Sequence, residues 1–225
     1  MAFDERTVAL LGEDKINFLK DKKVIVFGAG GVGGYVIEML ARTGVGTITM
    51  VDFDVVSESN INRQIIATIQ TIGKLKVDCF LDRILQINPN CRVNAVAKKL
   101  TEQNVQDFNL QSYDIVIDCI DMVKSKVALI KYCFENNIKI ISSMGAGNRY
   151  ELPKFEICDI YKTKNDGLAK AVRTRLKKLG VKHSLVCYSA QDAKKQKVVG
   201  SIAYFPATCG IYIGAYVINE LIKGE

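Results

Sequence analysis

Apolar residues along this chain alternate between two rhythms: short unbroken runs, and longer stretches where they recur every three or four positions. Val24-Ile25-Val26-Phe27 is a run of the first kind, and residues 32–42 follow the second. An unbroken run fits a strand buried on both faces, whereas a repeat of three to four fits an amphipathic helix. The alternation predicts a strand over 47–51 and a helix over 73–87, with Val77, Phe80, Leu81, Ile84 and Leu85 at helical spacing. Asn88-Pro89-Asn90 stops that helix. A strand over 92–97, a short helix over 101–107 capped by Thr101, and a buried strand over 113–121 follow. A helix over 124–136 and a strand over 138–142 complete the series. Such alternation predicts an α/β fold with a mostly parallel, doubly wound sheet. Only a helix-like stretch, 15–19, stands out ahead of the first strand.

From Met144 the rhythm changes. A glycine-rich loop leads to a strand over 154–160, then to a helix that Asn165 or Asp166 caps and Gly180 ends. Leu168, Val172, Leu176 and Leu179 form its apolar stripe. Further strands are predicted over 184–189 and 201–205, separated by a polar loop, and a last helix over 207–222 follows Pro206. Its small residues Ala207, Gly210, Gly214 and Ala215 allow close packing, within one subunit or at a dimer seam.

Between the first strand and helix, Gly28, Gly30 and Gly33 fit G-x-G-x-x-G. Such glycines allow a tight turn and let backbone N–H groups and a helix N-terminus approach a phosphate. Asp52, ending the second strand, stands where an acid binds ribose hydroxyls. Alone, these residues indicate a nucleotide, and NAD or FAD is the usual occupant. The residues beyond narrow the choice. Asp52-Phe53-Asp54 leads to Ser59-Asn60-Ile61-Asn62-Arg63-Gln64, and Lys76 comes thirteen positions after Arg63. A dinucleotide needs no arginine and lysine there, but a triphosphate losing pyrophosphate does. The sequence has no G-x-x-x-x-G-K-[ST] loop.

This constellation resembles the ThiF/MoeB family of adenylating enzymes, related to the adenylation domains of ubiquitin-activating enzymes. The resemblance implies a Rossmann-like fold that binds ATP and joins AMP to a carboxylate. It implies that Gly28, Gly30, Gly31 and Gly33 cradle phosphates, that Asp52 holds the ribose, and that Ser59 and Asn60 position the nucleotide. Arg63 and Lys76 would face the polyphosphate, and Asp121 would hold Mg²⁺. Arg6 stands where an arginine of one subunit reaches the ATP of its mate, which implies a homodimer; otherwise Arg6 is a surface arginine. Asp54 either assists the metal or caps a turn, and Asp118, inside its strand, supports the structure. Met122 departs from the small or polar residue of relatives. Many relatives carry a zinc site of paired C-x-x-C motifs; the seven cysteines here include no C-x-x-C, and no zinc is expected.

The C-terminal part narrows the resemblance. GAGN, DIYKTKNDGLAKAVRTRLKK, LVCYS and GSIAYFPATCGIYIG are similar to the tRNA threonylcarbamoyladenosine dehydratases. That implies ATP-dependent cyclisation of a threonylcarbamoyl group on tRNA. Charge agrees with a polyanionic partner. Eight Lys or Arg and one acid lie between 162 and 182 in a chain of net charge +7. Lys170, Arg173 and Lys177 recur at three and four and would contact tRNA. The plainer reading is a solvated helix face.

At 225 residues and 48% hydrophobic content, the chain is long enough for one large domain. Residues 1–150 would form its nucleotide-binding half and 151–225 its substrate and tRNA-binding half. No run approaches the roughly 18 apolar residues of a membrane span. The start, MAFDERT, lacks a signal-peptide pattern, and an odd number of scattered cysteines suits a reducing cytoplasm. A cysteine desulfurase or sulfur-acceptor protein is a candidate partner. Cys187 and Cys209 are weighed as nucleophiles, but an unpaired cysteine is usually a small buried hydrophobe. Two other functions stay open. One is adenylation of a ubiquitin-like sulfur carrier's C-terminus; the other is a non-enzymatic NAD-binding regulatory module.

Overall fold

The computed structural model describes residues 3–223. Two short helices, α1 (Glu5–Leu11) and α2 (Glu13–Lys20), precede β1 (Lys23–Phe27). Strand and helix then alternate through α3 (Gly33–Thr43), β2 (Thr47–Val51), α4 (Lys76–Ile87) and β3 (Arg92–Val96). β4 (Ile115–Asp118), α5 (Val123–Glu135) and β5 (Ile140–Ser143) follow, then β6 (Glu156–Asp159), α6 (Gly167–Lys178), β7 (Leu185–Tyr188) and α7 (Tyr204–Ile222). The strands form one sheet in the order β3-β2-β1-β4-β5-β7-β6. All pairings are parallel except β6 against β7. This is the expected doubly wound α/β sheet with C-terminal additions, and a single sheet runs through both halves of the sequence.

Successive β1 residues point to opposite faces. Val24 and Val26 pack with Ile37, Leu40, Phe205 and Ile213 under α3 and α7, while Ile25 and Phe27 pack with Leu129 and Cys133 of α5. A third apolar cluster joins α5 and α6 through Val127, Ile130, Val172 and Leu176. The chain order reverses between β1 and β4, so their carboxyl ends open a crevice of the kind that takes ligands in such sheets.

Several boundaries differ from the sequence reading. Residues 201–205 are not a strand, because α7 already begins at Tyr204. Pro206 lies in its first turn, where a missing N–H leaves no helical bond unmade. The expected helix over 101–107 is a turn and a single 3-10 helix, Val105–Phe108; Asn104 rather than Thr101 ties it, its Oδ1 accepting from Thr101 N at 2.8 Å. α4 starts three residues later than Gly73. In α6 the buried stripe is Ala169, Val172 and Leu176, with Leu179 exposed. α7 is, among the described residues, long and apolar enough to cross a membrane, a length the sequence reading did not assign to any segment. Here it lies on α3. A Cβ added to Gly210 would sit 2.4 Å from Val32 O, and one on Gly214 2.7 Å from Met39 Cβ. These glycines therefore let two helix backbones approach inside one subunit.

Candidate active site

β1 runs into a turn at Gly28, whose φ of +88° is left-handed and disfavours any side chain. A Cβ on Gly33 would lie 1.8 Å from Gly28 O, so a side chain there would force α3 off the strand. The turn thereby seats the N-terminus of α3, with its positive dipole end and unpaired N–H groups, over the crevice. Asp52, only 8% exposed, stitches this loop to the end of β2. Its Oδ2 accepts from Ala29 N at 2.7 Å and its Oδ1 from Asp54 N at 2.8 Å. Each oxygen keeps a lone pair for a ribose hydroxyl.

Lys76 is the first residue of α4, where the helix dipole disfavours a cation. Its offsetting partner is Asp54, whose Oδ2 lies 2.8 Å from Nζ, and Lys76 N also donates to Asp54 O at 3.0 Å. Arg63 comes from the 3-10 turn after β2. In that turn Asn60 is buried and accepts from Ser57 N at 3.2 Å, while Ser59 Oγ meets Ser57 Oγ at 2.9 Å. Arg63 Nη1 donates to Ser59 O at 2.7 Å and to Asn62 Oδ1 at 2.8 Å. Its Cγ lies 3.6 Å from the place a Gly31 Cβ would take, so the fold brings Arg63 onto the glycine loop.

Gln64 was not singled out by the sequence reading. It is 7% exposed, its Nε2 lies 3.7 Å from the Cβ position of Gly30, and its buried Oε1 has no hydrogen-bond partner among the described residues. An unmet buried acceptor costs about 1–3 kcal/mol, which a ligand in the crevice would recover. Its one sequence signal was adjacency to Arg63.

Asp121 is exposed at the end of β4, in the loop whose Cys119 O faces Gly28. That loop is braced from below. Asp118 and Lys126 are wholly buried with Oδ2 and Nζ 2.8 Å apart. Lys126 Nζ also donates to Ser143 O at 2.9 Å, and Asp118 Oδ1 accepts from Ile120 N at 3.1 Å. Among the described residues no three His, Cys, Asp or Glu side chains form a metal cage. One carboxylate plus phosphate oxygens is a common Mg²⁺ set, so Asp121 fits a metal delivered with its nucleotide. Arg6 is exposed on α1, and among the described residues no hydrogen bond or ion pair joins it to this group.

The C-terminal part closes the other wall. Pro206 Cβ lies 3.3 Å from the Cβ position of Gly31, and Asn62 Nδ2 donates to Ser201 O at 3.0 Å. Arg149, which the sequence reading also missed, is buried and pins three loops. Its guanidinium donates to Gln191 O at 2.8 Å, Gly145 O at 2.9 Å and Asn165 O at 3.2 Å. Asp166 caps α6 by accepting from Ala169 N at 2.8 Å and holds Gly145 N at 2.9 Å. Burial nevertheless keeps its carboxyl above the usual carboxylate range.

Of the five basic residues of α6, the three expected to share a face, Lys170, Arg173 and Lys177, do not form one open surface. Lys170 and Lys177 are exposed, but Arg173 is half-buried with Nη1 donating to Thr163 O at 3.0 Å and Ile160 O at 3.4 Å. Arg173 is thus occupied in tying α6 to the preceding turn, while Lys178 is exposed at the end of the helix. Cys187 and Cys209 are buried with sulfurs 3.8 Å apart. The hydrogen bond between them and then burial raise the Cys209 thiol well above its ordinary value. A nucleophile needs the thiolate, so this environment argues against covalent catalysis.

A doubly wound sheet with a glycine turn, an acid after β2, and an arginine and a lysine at the switch point defines an adenylating domain. The chain belongs to the ThiF family, whose model matches residues 4–224. It is similar to the tRNA threonylcarbamoyladenosine dehydratase of Bacillus subtilis (strain 168), at 38% identity over 97% of this chain and 94% of that protein. It also aligns with a crystal structure of E. coli tRNA N6-threonylcarbamoyladenosine dehydratase, TcdA, in complex with ATP. There the identity is 36% and the TM-score 0.93, over 98% of this chain and 93% of that one. An E. coli MccB structure, at 18% identity and a TM-score of 0.71 over 100% of this chain and 65% of that one, shares the fold.

Proposed function

We propose that this chain is an ATP-dependent dehydratase that cyclises the threonylcarbamoyl group of threonylcarbamoyladenosine in tRNA. The observation that carries the reading is the near-complete superposition on the E. coli dehydratase bound to ATP, with the glycine turn, Asp52, Arg63 and Lys76 gathered at one crevice. A carboxylate is a poor electrophile because its leaving group would be oxide. Its oxygen attacks the α-phosphate of ATP, pyrophosphate leaves, and an acyl-adenylate forms. The neighbouring ureido group then closes a ring and expels AMP, so one water is formally lost.

The protein's work is to neutralise charge and hold an in-line geometry. Gly28, Gly30, Gly31 and Gly33 cradle phosphates at the α3 N-terminus, and Asp52 takes the ribose. Ser59 and Asn60 shape the turn that presents Arg63. The triphosphate competes with Asp54 for Lys76, which supplies a buried cation as pyrophosphate departs. Asp121 would hold Mg²⁺, which shields phosphate charge when bound. Arg6 would complete the site of a dimer mate. Lys170, Lys177 and Lys178 would meet tRNA phosphates, residues 151–225 forming the tRNA half. A cytoplasmic location goes with a tRNA substrate. Mass spectrometry of tRNA nucleosides after incubation with ATP tests the reading: a product lighter by one water is expected, and an unchanged nucleoside overturns it.

A further inference from the structure

Beside the nucleotide crevice lies a cleft of about 230 Å³, with Arg149, Tyr150, Glu151, Gln191, Asp192 and Lys194 among its lining residues; Arg149 is committed to backbone carbonyls. Its walls are the loop after β5 and the loop after β7, both at carboxyl ends of the sheet. They are tightly joined. Asn148 N donates to Gly200 O at 2.8 Å, Gly200 N to Asn148 Oδ1 at 2.6 Å, and Lys194 N to Asn148 O at 2.8 Å. Gln191 spends its amide on the frame, accepting from Lys154 N at 2.7 Å and donating to Leu152 O at 3.1 Å. The cleft is also wired to the nucleotide site, because Tyr204 Oη donates to Tyr150 O at the start of α7. Two residues on, Pro206 rests against Gly31.

The lining has the chemistry of a site for an unpaired nucleobase. Tyr150 is 54% exposed although its backbone is fixed, and Lys194 Nζ stands 4.1 Å from its ring centroid. Lys195 and Lys197 are exposed on the same loop. Unpaired bases of RNA are held by stacking on such aromatic rings, with cations taking the adjoining phosphates. Glu151 and Asp192 are exposed carboxylates, and among the described residues neither is in an ion pair. They are free to accept from the exocyclic amino group of adenine or cytosine.

We infer that this cleft holds an unpaired loop nucleotide next to the adenosine being modified, its base stacked on Tyr150 and its phosphates on Lys194, Lys195 and Lys197. The inference rests on the tRNA reading above. An acyl-adenylate forms only when the threonylcarbamoyl carboxylate reaches the α-phosphate, and a neighbouring base anchored on the same rim would fix that approach.

The test uses the full-length protein and a stem-loop RNA carrying threonylcarbamoyladenosine, with 2-aminopurine placed in turn at each unpaired position. Wild type should quench one position strongly. Tyr150→Phe should keep that quench, and Tyr150→Ala should lose it and weaken RNA binding by about 5- to 150-fold, as loss of one stacked base does. ATP affinity, measured without RNA, should not change in either variant. If wild type binds and cyclises the RNA but Tyr150→Ala matches it in quench and affinity, the base subsite is wrong while the tRNA reading stands. If wild type neither binds nor cyclises the RNA, both fall. If polyglutamate occupies the cleft in a Tyr150-dependent way while RNA binding ignores Tyr150, the site is one for an acidic peptide and the inference is overturned.

Discussion

Replacing Lys126 with methionine isolates the buried pair beneath the β4 loop. Lys126 and Asp118 are both inaccessible to solvent, and their 2.8 Å contact is the only charge compensation that either has among the described salt bridges. Met fills the aliphatic volume of lysine but leaves Asp118 as a lone buried carboxylate and Ser143 O without the ammonium. Removing one partner of a buried pair costs about 3–5 kcal/mol. For a chain of this size each kcal/mol shifts Tm by roughly 2–4 °C, so the loss should be roughly 6–20 °C. A second variant, Lys126→Met with Asp118→Asn, removes the stranded charge while an amide oxygen still accepts from Ile120 N. It should regain a substantial part of that loss. Urea unfolding followed by fluorescence and circular dichroism gives the three stabilities. The reasoning fails if Lys126→Met lies within about 1 kcal/mol of wild type, or if the two substitutions simply add.

Arg63→Ala and Lys76→Ala should fold yet slow pyrophosphate release by about 10²- to 10³-fold, the usual loss for one preorganised charge contact; near-normal turnover in both would remove them from the site. Gln64→Met should raise the KM for ATP with no loss of stability, since its buried Oε1 meets no hydrogen-bond partner among the described residues. A thermal melt showing a large loss instead would make Gln64 purely structural. Burial pushes the thiols of Cys91, Cys119 and Cys133 to about 11, 12 and 12 from 9.0. A raised folded value means stability is fully present below about pH 9 and lost as pH climbs towards those values. The urea midpoint should therefore fall between about pH 9 and pH 11, and less so in Cys133→Ala; identical profiles would refute the assignment. Mixing Arg6→Ala with Asp121→Ala subunits should restore part of the activity if sites are shared across a dimer, and no recovery despite subunit exchange would exclude sharing.

The order of strands and helices was readable because buried parallel strands are unbroken apolar runs, and a glycine turn leaves its own mark. Where local pattern and tertiary packing disagree, the sequence misled. Ser201-Ile202-Ala203-Tyr204-Phe205 alternates like a strand, yet Phe205 is drawn into the α3–α7 core and the helix starts early. Lys76 could be placed at a helix start, but its partner Asp54 lies 22 positions away and no local rule pairs them. Arg149 joins loops from three parts of the chain, and Arg173 folds back to Thr163; in sequence each is one basic residue among many. Long-range hydrogen bonds leave no periodic trace, which is why the frame of the site was visible and its bracing was not.

The close seating of α7 on α3 also bears on how the protein comes to exist on the ribosome. The first nucleotide-binding helix, α3, is made early, but the surface that covers it, from Phe205 to Val217, is synthesised only after all seven strands of the sheet. Until those residues emerge, Val36, Ile37 and Leu40 lack part of their apolar cover. A nascent chain holding the complete glycine motif would therefore be an aggregation-exposed intermediate rather than a working nucleotide binder. Competence would come only once α7 has closed over α3, the later helix acting as the keystone of the earlier one.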